Sequence, residues 1–160
     1  MNAYVIYAFT LAAAIAQPAA QTTHPDFSGV WSPVAIRPAP AAGATSLPPS
    51  DLTIRQTATE LAVSRTVFDN VITATQDLTG HESTNKSGAV TEITSARWDH
   101  ARLVIEGKAS QVTSQGYAAW KLTEIYSLDA KGHLLIDSDW IGDDGRITKR
   151  VQELARKARR

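Results

Sequence analysis

Two charged side chains fall where an apolar strand face would carry them inward. Leu61, Val63 and Val67 alternate with polar or small neighbours, and Arg65 shares their parity. Trp120, Leu122, Tyr126 and Leu128 do the same around Glu124. A charge turned into an apolar interior is costly unless it is paired, hydrated or met by a ligand. Arg65 and Glu124 are therefore candidates for an internal ion cluster or for holding the polar head of a bound molecule, with Trp120 and Tyr126 beside them. The competing reading is a bulge that shifts register and leaves both charges outside.

The other chemistry-bearing residues are less organised. His24, His81, His100 and His133 sit near turns or strand ends, in no H-x-H or H-E-x-x-H spacing, and read as surface turn residues. Asp137, Asp139, Asp143 and Asp144 offer oxygens to calcium, but the rest of a cation loop is missing, so no metal site is expected. Asp143-Asp144-Gly145 fits a tight hairpin instead. Asp137 and Asp139 would lie roughly 7 Å apart by strand rise, as any i, i+2 pair does, and glycosidase chemistry does not follow from that. No nucleophile elbow, phosphate loop or nucleotide fingerprint is present. No catalytic residue and no cofactor is named, and an enzyme using an internal cavity stays a third reading.

The elements that would position Arg65 and Glu124 are strands. From Asp51 onward the apolar period is two: Leu52 and Ile54, then Leu61 to Val67, Val71 to Leu78, Val90 to Trp98, Leu103 to Gln111, Tyr117 to Leu128, His133 to Ile141 and Arg146 to Leu154. Turn residues separate them at Thr79-Gly80-His81, Asp99-His100, Gln115-Gly116, Asp129-Ala130-Lys131-Gly132 and Asp143-Asp144-Gly145. Glu82 to Gly88 reads as a polar turn or loop. Short connections make neighbours antiparallel, and closing the meander removes exposed edges. The expected fold is all-β, an up-and-down antiparallel β-barrel of eight to ten strands, with a flat or two-layer sheet as the fallback. Ser32 to Ser50 holds five prolines and reads as a loop, either a connector or a cover across the barrel mouth. Glu153 to Arg160 alone looks helical, and 155–160 reads as a basic, solvated tail.

At 160 residues the chain fits one domain, placed at 26–154. Acidic and basic residues balance at 16 each, so no net field draws nucleic acid or an anionic membrane. Cysteine is absent, which excludes disulfides and thiolate chemistry. Val5 to Ile15 is apolar but short for a membrane span, and suits the core of a signal peptide over 1–20, cleaved after Ala16 or Ala20. A secreted or periplasmic bacterial protein is expected, with no stable membrane insertion once the signal is gone.

Asp26-Phe27-Ser28-Gly29-Val30-Trp31 opens the strand series. F-S-G-V-W before a β meander resembles the calycin group, the lipocalins and fatty-acid-binding proteins, where Gly-x-Trp lies on the first strand and its indole plugs one barrel end. Gly145 to Gln152 is similar to the last strand of the fatty-acid-binding proteins, in which an Arg-x-Tyr pair reaches the cavity. Arg150 matches that arginine, while Gln152 stands where the tyrosine would be. The mature chain also looks like uncharacterised exported bacterial proteins sharing F-S-G-x-W, a Pro-rich connector, a Leu-x-Ile-x-Gln strand and a W-D turn. The resemblance implies a lipocalin-like barrel binding a small, mainly apolar or amphipathic molecule, and Arg150 joins Arg65, Trp120, Glu124 and Tyr126, placed inward by parity, as the candidates to face it. It further implies closure by Gly29 and Trp31, and Arg150 is a candidate to stack on Trp31. Trp31, Trp98, Trp120 and Trp140 are candidate pocket walls. The alternative is a structural or interaction barrel filled by its own side chains.

Overall fold

A computed structural model of the chain describes residues 24–37, 50–67, 69–114 and 116–158. The expected signal segment and most of the proline-rich stretch lie outside these. Ten strands follow one another: β1 Gly29–Arg37, β2 Leu52–Gln56, β3 Glu60–Val67, β4 Asn70–Asp77, β5 Glu82–Ser87, β6 Val90–Asp99, β7 Arg102–Thr113, β8 Gly116–Leu128, β9 Leu134–Gly142 and β10 Ile147–Arg156. The described residues contain no helix. Every ladder is antiparallel, and the order β4-β3-β2-β1-β10-β9-β8-β7-β6-β5 curls into a nearly closed barrel. First and last strands meet along the β1–β10 ladder, from Trp31 opposite Arg156 to Arg37 opposite Val151.

The last seam is made differently. No main-chain ladder joins β4 to β5 among the described residues. Side chains of β5 substitute for it: Asn85 accepts from the Thr75 amide at 2.8 Å and donates to the Thr75 carbonyl at 3.0 Å. Ser83 Oγ accepts from the Asp77 amide at 2.7 Å. These bonds satisfy edge groups that an open sheet would leave free.

Three sequence expectations are corrected. Glu82 to Ser87 is a strand rather than a loop; it lacks an apolar face because Ser83 and Asn85 serve the seam. The proline-rich stretch begins inside β1, where Pro33 lies opposite Leu154 beside a bulge that absorbs its missing donor. The helical-looking end is strand as far as Arg156: Leu154 is fully buried between more exposed neighbours, and β1 supplies a partner that local propensity cannot show.

The core fills one end of the barrel. Phe27, Trp31, Leu61, Leu103, Leu134 and Leu154 are completely buried there. Trp31 Nε1 donates to the Phe27 carbonyl at 2.8 Å, so the indole is buried with its one polar atom satisfied. Arg156 covers it, its guanidinium carbon 4.6 Å from the ring centroid. This corrects the expectation for Arg150. Trp31 pairs with Arg156, and Arg150 lies six residues back along the strand, about 20 Å at ordinary strand rise. Trp98 also belongs to this end, stacked between His24 (ring centroids 4.2 Å apart) and Phe27 (5.8 Å). At Gly107 an added Cβ would lie 2.1 Å from the Ile93 carbonyl oxygen, so only glycine lets β6 and β7 approach this closely.

Candidate ligand chamber

Above the plug side chains no longer fill the interior between the strands. A chamber of about 240 Å³ opens there, with Ile105, Leu122 and Trp140 among its apolar lining and Arg65, Glu92 and Glu124 among its charges. A smaller recess of about 50 Å³ adjoins it, reaching Arg150, Gln152 and Ser138. Arg65, Glu124, Tyr126 and Trp140 line both, so they form one continuous site.

Strand parity places Arg65 and Glu124 here. Leu61 and Val63 are buried on β3, and Arg65, of the same parity but exposed, lines the chamber where the strand opens to solvent. Leu122 and Tyr126 are buried on β8 on either side of Glu124. Arg150 shares its face of β10 with buried Leu154 and turns into the recess. Trp120 has the right parity and is half-buried, but it is not among the residues lining either space. Of the four tryptophans only Trp140 walls the chamber. Trp31 and Trp98 belong to the closed end.

The charges divide into engaged and unengaged groups. Glu124 accepts from the Tyr126 hydroxyl at 3.1 Å and from Ser138 Oγ at 3.4 Å. Gln152 turns its amide oxygen to Arg150, accepting from Nε at 3.0 Å and Nη2 at 2.7 Å. The glutamine standing in the tyrosine's place thus holds the arginine. Burial lowers the Arg150 pKa, with repulsion from Arg65 adding and attraction to Glu124 opposing. Burial raises the Tyr126 pKa well above its ordinary value, reinforced by the Glu124 charge. Glu92 on β6, which sequence reasoning missed, is pushed above the usual glutamate range by burial first and by Glu124 second, against a lowering from Arg65. Val90 and Thr94, two residues either side of it, line the same space, so the period-two signal was there to be used.

Among the described residues one further group gathers metal-type ligands, outside the chamber. His133 Nδ1 lies 2.8 Å from Glu153 and 3.8 Å from Asp129. Asp129 also accepts from the Lys131 and His133 amides, and Arg37 lies 3.4 Å from the other Glu153 oxygen. The trio therefore works as a clasp binding the β8–β9 turn to β10. Sequence spacing could not show it, because Glu153 arrives from another strand.

The architecture is an up-and-down antiparallel barrel of ten strands, a fold shared with solved structures. Three solved structures show the likeness. Apo lipid binding protein 8 of Caenorhabditis elegans aligns with TM-score 0.56 and 11% identity over 82% of this chain and 95% of its own. Human cRBP IV aligns with TM-score 0.54 and 13% identity over 83% and 99%. A secretary abundant heat soluble protein of Ramazzottius varieornatus aligns with TM-score 0.55 and 11% identity over 85% and 98%. No family model and no curated protein matches the sequence.

Proposed function

We propose that this protein binds a small amphipathic molecule in the chamber, its apolar part on Trp140, Leu122 and Ile105 and its polar head toward Arg65, Glu124 and Arg150. The observation that carries this reading is the chamber itself, its apolar walls interspersed with the charges of Arg65, Glu92 and Glu124, above a plugged barrel end. A neighbour of the same fold named a lipid binding protein adds support. The volume matters to the choice of ligand. About 240 Å³ holds roughly eight waters at ~30 Å³ each, below the ~300–1,000 Å³ usual for drug-sized ligands. A short-chain amphiphile fits better than a long one.

Thermal unfolding with a series of short amphiphiles tests this. A binder at a hundredfold excess over its dissociation constant stabilises by about 2.7 kcal/mol. Leu122→Trp, which fills the chamber, should abolish that gain while the far-ultraviolet spectrum stays unchanged. No stabilisation by any member of the series would favour the filled structural barrel. For the head group, Arg150→Gln should weaken a carboxylated amphiphile about tenfold and its alcohol analogue hardly at all. Equal losses would remove Arg150 from the site. Export is part of the same proposal, supported by the apolar run Val5 to Ile15. Protein recovered from a bacterial periplasm should then begin at Gln17 or Gln21, and an intact Met1 there would refute it.

A further inference from the structure

Two opposite charges face the chamber and attract each other only across space, with no hydrogen bond or close ion pair to each other or to any other described side chain. Glu92 is half-buried on β6, Arg65 lies on β3, and both line the same space. Neither joins a hydrogen bond or an ion pair with another described residue. Their companions differ: Glu124 is held by Tyr126 and Ser138, and Arg150 by Gln152. Lys86 lines the chamber too, from the exposed face of β5.

An unengaged carboxylate in a half-enclosed, partly apolar space is poorly solvated, and a second carboxylate beside it makes the ionised state worse. Glu92 is in that position, which is the sense of its raised pKa. A cationic group delivered by a ligand would relieve it. A plain carboxylate ligand would satisfy Arg65 and add a third negative charge beside Glu92 and Glu124. A plain amine would satisfy Glu92 and strip water from Arg65. A neutral molecule would desolvate both and pair with neither.

We propose that the chamber is built for a small zwitterion with an apolar tail, its ammonium on Glu92 and its carboxylate on Arg65. This rests on reading the chamber as a binding site and names the ligand class within it. The modest volume favours a molecule the size of an apolar amino acid. Ile105, Leu122 and Trp140 take its tail.

Calorimetric titration with four phenylalkyl probes that differ in head group tests this: phenylalanine, phenethylamine, 3-phenylpropanoate and 3-phenylpropan-1-ol. Phenylalanine should bind at least about tenfold more tightly than the alcohol, the effect of one charge-assisted hydrogen bond. Glu92→Gln should bring phenylalanine and 3-phenylpropanoate to similar affinities, and Arg65→Gln should do the same for phenylalanine and phenethylamine. Circular dichroism of both variants establishes that the barrel is intact. The proposal fails if the alcohol or 3-phenylpropanoate matches phenylalanine on the unaltered protein, or if Glu92→Gln leaves phenylalanine binding unchanged; the chamber reading would survive either result. Failure of all four probes, and of an apolar fluorophore, would overturn the chamber reading and this proposal together.

Discussion

The two ends of this barrel are made from the same ten strands and treat polar groups in opposite ways. At the closed end Trp31 is buried without a gap, its one donor satisfied by the Phe27 carbonyl and its face covered by Arg156. At the other end Glu92 and Arg65 face a space without a hydrogen bond or close ion pair to another described residue, and apolar side chains stand at the strand tips, with Val71, Val112 and Tyr117 each about 70% exposed. Stability is concentrated where packing is dense, and the loosely packed end can carry unsatisfied charge because the other end holds the fold. The strongest way to break this contrast is to remove the plug. Trp31→Ala should cost about 3–5 kcal/mol, the usual range for deleting a buried aromatic. Urea denaturation measures it, and a loss under about 1 kcal/mol would mean that the closed end does not carry the fold.

A middle case lies on the β4–β5 seam, which runs alongside the chamber. Asn85 makes two of its bonds there and also lines the chamber. Asn85→Ala should cost about 1–3 kcal/mol, because the Thr75 amide and carbonyl lose their partner at a half-exposed position. The loss should be local. Hydrogen exchange at the Thr75 amide should accelerate while amides around Trp31 keep their protection. A uniform acceleration across the barrel would show that the two ends do not differ in the way argued.

How much of this could be read from the residues depends on whether a signal was local. Alternation at Leu61 to Val67 and Trp120 to Tyr126 turned Arg65 and Glu124 inward, and both line the chamber. Alternation failed at β5, whose face is polar because its side chains bond to a neighbouring strand. It also failed at Glu153 to Arg156, where helix-forming residues are drawn into a strand by pairing with β1. The guanidinium over Trp31 was misassigned for a related reason. Arg150 and Arg156 share one strand face, and only the register of β1 against β10 distinguishes them. Glu92 was missed although Val90 and Thr94 share its parity, because the inward Thr94 is polar while its apolar neighbour Ile93 faces out, so hydrophobicity there points the wrong way. Pairings between distant strands are not written in any window of sequence.

The smallest expected effect tests the open end from its electrostatics. Glu92 has a pKa raised above its ordinary value near 4.5, with burial as the main cause. The folded protein therefore binds that proton more tightly than the unfolded chain does. Between the two pKa values stability falls as pH rises, and above the folded value the whole penalty is present. Glu92→Gln removes the charge and keeps the shape, so in ligand-free protein it should raise the melting temperature at pH 7 and not at pH 4. The site is half-open to water, so screening should keep the gain within about 2–4 °C, the shift that 1 kcal/mol produces in a domain of this length. Melting curves across that range decide the matter. A gain of the same size at both pH values would point to packing rather than charge, and a loss at pH 7 would mean that Glu92 already has a stabilising partner. Either result would make the chamber end resemble the plugged end, with its polar groups settled inside the protein instead of left for a ligand.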